Sequence, residues 1–353
     1  MDKKIGILTY HDSDNYGSVL QAYALSHYIG GLGTDCEIID YRKDAVKELY
    51  SIWKRPTSRN AVLTDIFQIP YYTKLKKRKN NFENFRKNYL PLSNTLYTKQ
   101  GDLKSSQYDL YVVGSDQVWN INIVDFDSSY LLDFTEKKKF SYAASFGSSI
   151  KSPDSFRKYE SLFQKFDKIT VREIAGKNLC ENELGLLADL VCDPVFLLSA
   201  DEWRKIKSTD TIKEDYIFCY FAGGVSKEME EFSKNLARKH NCKRVIVMFD
   251  WHDWNKKDQI KNYESGPQEF LTLLDNAKFV CTNSFHGTAF SIILNKNFFI
   301  DGSYSDLRIK TLLNISNKNE ALINSKEFDE IGESPNSLKE LIEFSKKVIS
   351  EEV

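Results

Sequence analysis

The apolar positions along this chain change period repeatedly. Residues 4–10, "KIGILTY", make a short apolar run of strand type, whereas in 18–33, "SVLQAYALSHYIGGLG", apolar residues return at helical spacing and the run closes on glycines suited to a helix end. Residues 36–41, "CEIIDY", resume a strand, so the chain opens as a β–α–β unit. Strand patterns recur at 108–116, 139–147 and 168–173, with a helix predicted near 153–166. A second series follows, with strands at 216–223, 244–250, 278–282 and 297–303 separated by helices predicted over 226–240, 267–276 and 288–294. This alternation predicts an α/β protein of two Rossmann-like halves joined near 195–215, an N-terminal domain 1–195 and a C-terminal domain 196–353. Residues 337–353, "SLKELIEFSKKVISEEV", carry apolar residues at helical spacing and are expected to form a helix that packs back on the first domain.

A length of 353 residues agrees with two domains. Net charge is −1 with 28% charged residues, so any anion-binding patch has to be local and nucleic acid is not an expected partner. The six cysteines lie far apart without CxxC spacing, mostly in apolar contexts such as "IFCYF", and read as reduced thiols of a cytoplasmic protein. The first residues, "MDKKIGILTY", lack the apolar stretch of a signal peptide, and no run reaches membrane-spanning length.

Candidate chemistry sits in the turns that follow strands. In an open parallel sheet these turns lie at the carboxyl edge, where ligands bind, and the next helix directs its first N–H groups to the same place. "CTNSFHGTAF" puts His286 in such a turn, with Ser284 and Gly287 beside it. "YHDSDNYGSVL" places His11, Asp12, Asp14, Asn15, Tyr16 and Gly17 between the first strand and its helix, without the GxGxxG spacing of a dinucleotide site. "VVGSDQVWN" ends another strand on Ser115, Asp116 and Gln117. Asx-turn chemistry is the plainer explanation of either loop alone. The His/Asp groups in "HDSDN" and "DWHDWN" have no metal-site spacing and read as solvated loops, so no metal is expected. Trp251 and Trp254 suit stacking on a sugar ring, or ordinary partial burial. One local basic run, Lys74 to Lys79 within "YYTKLKKRKNNFENFRKNYL", reads as a solvated helix face or as a peripheral contact with anionic lipid.

Taken together, "KIGILTYHDSDNYGSVLQAYAL", "YDLYVVGSDQVWN", "KFSYAASFG", "ITVRE", "VCDPVFLLSADEW", "GPQEFLTLLDNAKFVCTNSFHGTAFSIIL" and "DLRIKTLL" resemble the polysaccharide pyruvyltransferase family, in family order over residues 4–313. The resemblance implies a glycosyltransferase-B-like (GT-B) arrangement of two Rossmann-like domains around a cleft. It also implies transfer of a pyruvyl group from phosphoenolpyruvate (PEP) onto two hydroxyls of a sugar as a ketal, with PEP as donor substrate and no cofactor. The acceptor would be a sugar or lipid-linked oligosaccharide in a surface or exopolysaccharide precursor, handled in the cytoplasm at the inner face of the membrane.

By the same resemblance, Arg172 in "TVRE" holds PEP and His286 is the essential acid/base or a PEP ligand. Histidine suits the acid/base task because it both donates and accepts near neutral pH. Ser284, Gly287 and Arg308 would complete the PEP site. Asn15, Tyr16, Gly17, Ser115, Asp116 and Gln117 would line the acceptor side. A GT-B glycosyltransferase using a nucleotide-sugar donor is the alternative, for which Glu269 in "GPQEF" would be the ribose-binding acid.

Overall fold

A computed structural model describes residues 3–53, 69–147, 153–210, 212–247, 259–303, 307–323 and 337–353. The chain divides into two compact units. One comprises Met1–Tyr50, Arg86–Leu198 and Ile331–Val353, the other Ser51–Phe85 and Ser199–Glu330. Relative to a single cut at 195–196, residues 51–85 therefore join the second unit and the C-terminal stretch joins the first.

In the first unit the strands are β1 (Lys4–Leu8), β2 (Asp35–Tyr41), β3 (Leu92–Tyr97), β4 (Leu110–Val113), β5 (Lys138–Ala144), β6 (Lys168–Val171) and β7 (Asp189–Leu190). They form one parallel sheet in the order β3-β2-β1-β4-β5-β6-β7. The central strand β4 is buried at every position, which is why its sequence, "LYVV", is a continuous apolar run without alternation. The second unit contains β8 (Tyr216–Tyr220), β9 (Lys243–Val247), β10 (Gln259–Asn262), β11 (Phe279–Thr282), β12 (Phe298–Asp301) and β13 (Leu322–Ile323). These pair in parallel in the order β10-β9-β8-β11-β12-β13. Each sheet thus runs outward in both directions from its first strand. The order reverses between β1 and β4 in one unit and between β8 and β11 in the other, and a crevice opens at the carboxyl end of such a switch point.

Helices predicted at 226–240 and 267–276 are observed as Lys227–Lys239 and Pro267–Asn276. The helix after β11 starts earlier than its apolar pattern, at Phe285, because Ser284 caps it and draws "FHG" into the first turn. Near 153–166 the chain forms a 3-10 segment, Pro153–Tyr159, and only one α turn, Glu160–Phe163. The C-terminal helix Leu338–Glu352 belongs to the first unit, where Ser345 Oγ accepts the Cys192 amide at 2.9 Å and Lys3 Nζ donates to the Val353 carbonyl at 2.8 Å. Among the described residues, no helix is long and apolar enough to cross a membrane.

The turn after β4 depends on a residue without a side chain. Gly114 has φ of 112°, and a Cβ there would lie 2.3 Å from the Tyr142 carbonyl oxygen of β5, where the strand bulges and Ala143 also takes a positive φ of 50°. Backbone cannot give way as a side-chain tip can. Gly114→Ala is therefore expected to cost more than about 2 kcal/mol, while Gly101→Ala, with nothing near its Cβ position, should stay within about 0.5 kcal/mol of neutral. Urea unfolding of the two variants checks the contrast.

Candidate active site

The β1/β4 switch point carries a network that joins most of the residues expected on the acceptor side. Asn15 caps the helix Tyr16–Gly31, its Oδ1 accepting the Gly17 and Ser18 amides at 2.9 and 3.4 Å. Tyr16 is fully buried, so in this structure its ring is a packing element. Ser18 Oγ donates to Asp116 Oδ2 at 2.5 Å, which ties the first turn of that helix to the loop after β4. Gln21 fastens the same junction. Its Nε2 donates to Thr9 Oγ1 at 2.9 Å and its Oε1 accepts the Ser115 amide at 3.2 Å. Ser115 Oγ donates to the Ala143 carbonyl at 2.8 Å, while Gln117 Oε1 accepts from Asn120 Nδ2 at 2.8 Å. Asp116 sits at φ 65°, a left-handed conformation that Asp tolerates better than most side chains.

Arg172, just past β6, occupies the centre. Nη1 donates to Asp193 Oδ2 at 2.6 Å, Nη2 to Asp116 Oδ1 at 3.2 Å, and Nε lies 3.8 Å from Glu173 Oε2. The side chain is 1% exposed. Burial alone would make the guanidinium a weaker base, but Asp193, Asp116 and Glu173 outweigh it and hold the charge. The carboxylates are themselves committed: Asp193 Oδ1 accepts the Val195 amide at 3.1 Å and Glu173 Oε1 the Phe146 amide at 2.7 Å. The family resemblance makes Arg172 a holder of PEP, and the folded chain surrounds it with carboxylates that an incoming anion would have to displace. Nothing in the sequence marks Asp193 for the site beyond "CDP", which signals a capping aspartate ahead of proline.

The loop "HDSDN" is pinned, not solvated. Arg86 donates to the carbonyls of His11 and Asp12, both at 3.0 Å, and to Asp14 Oδ1 at 2.5 Å. His11 is fully buried, with Nε2 2.9 Å from Asp40 Oδ1. Burial would raise the Asp40 carboxyl, but hydrogen bonds from His11 and Arg42 keep it below its ordinary range.

The second cluster lies past β11. Thr282 Oγ1 donates to the Tyr220 carbonyl at 2.5 Å and accepts the Ser284 amide at 3.0 Å. Asn283 bridges to the loop after β8, accepting the Ala222 amide at 2.6 Å and donating to the Gly224 carbonyl at 2.7 Å. These contacts fix the turn on which His286 stands, at the second position of the helix Phe285–Ile293 and 8% exposed. Its ring meets Phe285 edge to face at 5.2 Å between centroids. The Arg308 guanidinium lies over that same Phe285 ring at 6.0 Å, which brings Arg308 to the first residue of the helix that also carries His286 and Gly287. Gly287 is required by close approach, since a Cβ there would sit 2.4 Å from Thr282 Oγ1.

Glu269 accepts the Gly266 amide at 2.8 Å and so caps the helix Pro267–Asn276. Trp251, Trp254 and the "DWHDWN" stretch lie outside the described residues. Among the described residues, no group of three or more His, Cys, Asp or Glu side chains is placed to hold a metal ion.

Two parallel Rossmann-like sheets of this order define the class of GT-B-fold proteins. Solved structures similar to this chain include the UDP-GlcNAc 2-epimerase of Neisseria meningitidis bound to UDP-GlcNAc, at 13% identity and TM-score 0.52, covering 99% of each chain. S. aureus MnaA in its UDP co-structure is similar at 10% identity and TM-score 0.53, covering 99% of this chain and 88% of that one. A putative UDP-N-acetylglucosamine 2-epimerase from Listeria monocytogenes follows at 9% identity and TM-score 0.52, covering 88% and 82%. At such identities the likeness concerns the fold. No curated protein matches the chain in sequence. Residues 15–300 match the model of the polysaccharide pyruvyl transferase family, and the chain belongs to that family of enzymes.

The buried cluster yields a stability prediction. Arg172→Ala removes the cation among three carboxylates and is expected to cost about 3–5 kcal/mol, the usual penalty for breaking a buried ion pair from one side. Chemical denaturation measures it, and a loss below about 1 kcal/mol would mean the arginine is not holding the cluster.

Proposed function

We propose that this enzyme transfers the pyruvyl group of PEP onto two hydroxyls of a sugar in a surface or exopolysaccharide precursor, forming a ketal and releasing phosphate. What carries the reading is the turn at Ser284–Gly287, where a histidine opens a helix and an arginine stands over its neighbouring ring. PEP is anionic at both ends. Arg308 and the helix N-terminus with the Ser284 hydroxyl supply the charge and donors such a molecule needs. Arg172 contributes indirectly, by fixing Asp116 and Asp193 at the edge of the first unit's sheet.

The chemistry requires a proton on the methylene carbon of PEP, which leaves positive charge on the adjacent carbon. A sugar hydroxyl bonds to that carbon and gives up its proton. Phosphate then departs with the electron pair of its bond to carbon, and a second hydroxyl closes the ketal and releases its own proton. His286 is the group suited to carrying these protons or to holding the phosphate as it leaves. Asn15, Gly17, Ser115, Asp116 and Gln117 lie on the acceptor side, in the first unit. No cofactor enters the balance, and the setting is the cytoplasm.

A membrane-borne acceptor is also consistent with the basic helix Tyr72–Tyr89. Lys74, Lys76 and Lys77 are exposed, and close by in the same unit Trp53, which stacks on Tyr72 at 5.5 Å, and Ile69 are 44% and 59% exposed. Cations beside exposed aromatic and aliphatic groups suit the surface of an anionic bilayer. The protein should co-sediment with phosphatidylglycerol vesicles but not with phosphatidylcholine, and Lys74→Glu with Lys76→Glu and Lys77→Glu should abolish it. Equal retention by both vesicle types would refute the contact.

His286→Gln is expected to leave the melting temperature nearly unchanged while lowering PEP-dependent phosphate release by about 10²–10⁴-fold. PEP should raise the melting temperature of the wild type, and UDP and GDP should not. Stabilisation by UDP alone would favour a nucleotide-sugar donor, and a destabilised His286→Gln with normal turnover per folded molecule would make the histidine structural.

A further inference from the structure

A small polar pocket opens in the first unit, under the turn Thr9–Ser13 that follows β1. It is a partly open cavity of ≈ 10 Å³, room for one water or one hydroxyl, bordered by Tyr10, Ser13, Lys43, Asp125 and Tyr130 among others. Tyr10 is 7% exposed, and its hydroxyl has no hydrogen-bond partner among the described residues. The ring is fixed by packing instead, tilted against Tyr130 with centroids 4.6 Å apart. Asp125 is 9% exposed and its Oδ1 is likewise without a partner among the described residues. The nearest cation is already engaged: Lys43 Nζ pairs with Asp127 Oδ2 at 3.1 Å and donates to the Asp125 carbonyl, not to its carboxylate.

A buried donor and a buried acceptor left unsatisfied on one small cavity each carry a desolvation cost of about 1–3 kcal/mol, which a group that both accepts and donates would relieve. A hydroxyl does both. We propose that Tyr10 and Asp125 form a subsite for a hydroxyl of the acceptor sugar, the Tyr10 O–H donating to the sugar oxygen and the Asp125 carboxylate accepting the sugar O–H. This rests on the reading of the first unit as the acceptor side. Burial pushes the Asp125 carboxyl above its ordinary range; Lys43 opposes this and Asp116 and Asp12 add to it, so a hydroxyl donor would stabilise its charged form. Burial, together with Asp125, Asp116 and Asp127, also keeps the Tyr10 hydroxyl protonated and therefore a donor. Tyr10 opens the stretch "YHDSDNYGSVL" without standing out there as a candidate, and Asp125 lies outside the motifs altogether.

Saturation-transfer NMR with millimolar methyl galactoside, methyl mannoside and methyl N-acetylglucosaminide, and with PEP in a separate sample, tests the subsite. The wild type should transfer saturation to at least one glycoside. Tyr10→Phe should bind that glycoside about five- to tenfold more weakly, the factor that one neutral hydrogen bond is worth, Asp125→Asn, which loses a bond to a charged group, about tenfold or more, and both should bind PEP as before. Tyr10→Phe should melt at or above the wild-type temperature, because the hydroxyl it lacks holds nothing in the fold. No transfer to any glycoside from the wild type, undiminished binding in both variants, or a clear fall in the melting temperature of Tyr10→Phe would overturn the proposal. A wild type that binds a glycoside but not PEP would count against pyruvyl transfer and leave the subsite standing.

Discussion

Arg172 holds the edge on which the first unit's polar groups are arranged. Three carboxylates from three places in the chain, Asp116 after β4, Glu173 after β6 and Asp193 after β7, approach one buried guanidinium. None could remain there charged without it, because the cost of desolvating a carboxylate is several kcal/mol. Asp116 in turn orients Ser18, and the amide of Ser115 is taken by Gln21. The loops after β1, β4, β6 and β7 are thereby linked into one structure. Pre-organisation of this kind suits a surface that must present fixed donors and acceptors to a hydroxyl-rich partner.

The second unit reaches a similar end with neutral groups. Thr282 and Asn283 bind the loop after β8 to the turn after β11, and the absence of a side chain at Gly287 lets the helix close on Thr282. His286 is then carried on a turn fixed from both sides. Both arrangements lie where the strand order of a parallel sheet reverses, which is a property of topology before it is one of any particular side chain.

That topology was legible in the sequence because central strands buried on both faces read as continuous apolar runs, as "LYVV" and "YIFCY" do. The edge strands β3, β7, β10 and β13 were not: two to four residues in β7, β10 and β13 make too little pattern to separate from loop, and β3, "LSNTLY", is largely exposed and carries no apolar run. The turn carrying His286 was placed from its flanking apolar runs, and the family motif marked the residue. What sequence could not reveal was commitment. The partner of Arg172 cannot be named until Asp193, distant along the chain, is seen to accept its hydrogen bond, and Tyr10 and Asp125 are ordinary residues until folding places both, with unpartnered polar atoms, around one cavity. Glu269 meets the same limit, because a cap and a ligand present the same carboxylate in a one-dimensional string.

Product analysis tests the central claim most directly. The wild-type enzyme would be incubated with PEP and a panel of lipid-linked and nitrophenyl glycosides, with phosphate release followed and the products examined by mass spectrometry and carbon NMR. The account predicts phosphate release that depends on both PEP and the glycoside, and a product in which one quaternary carbon bridges two oxygens of the same sugar. A singly attached enolpyruvyl ether, or transfer of a sugar from a nucleotide donor with PEP untouched, would contradict it.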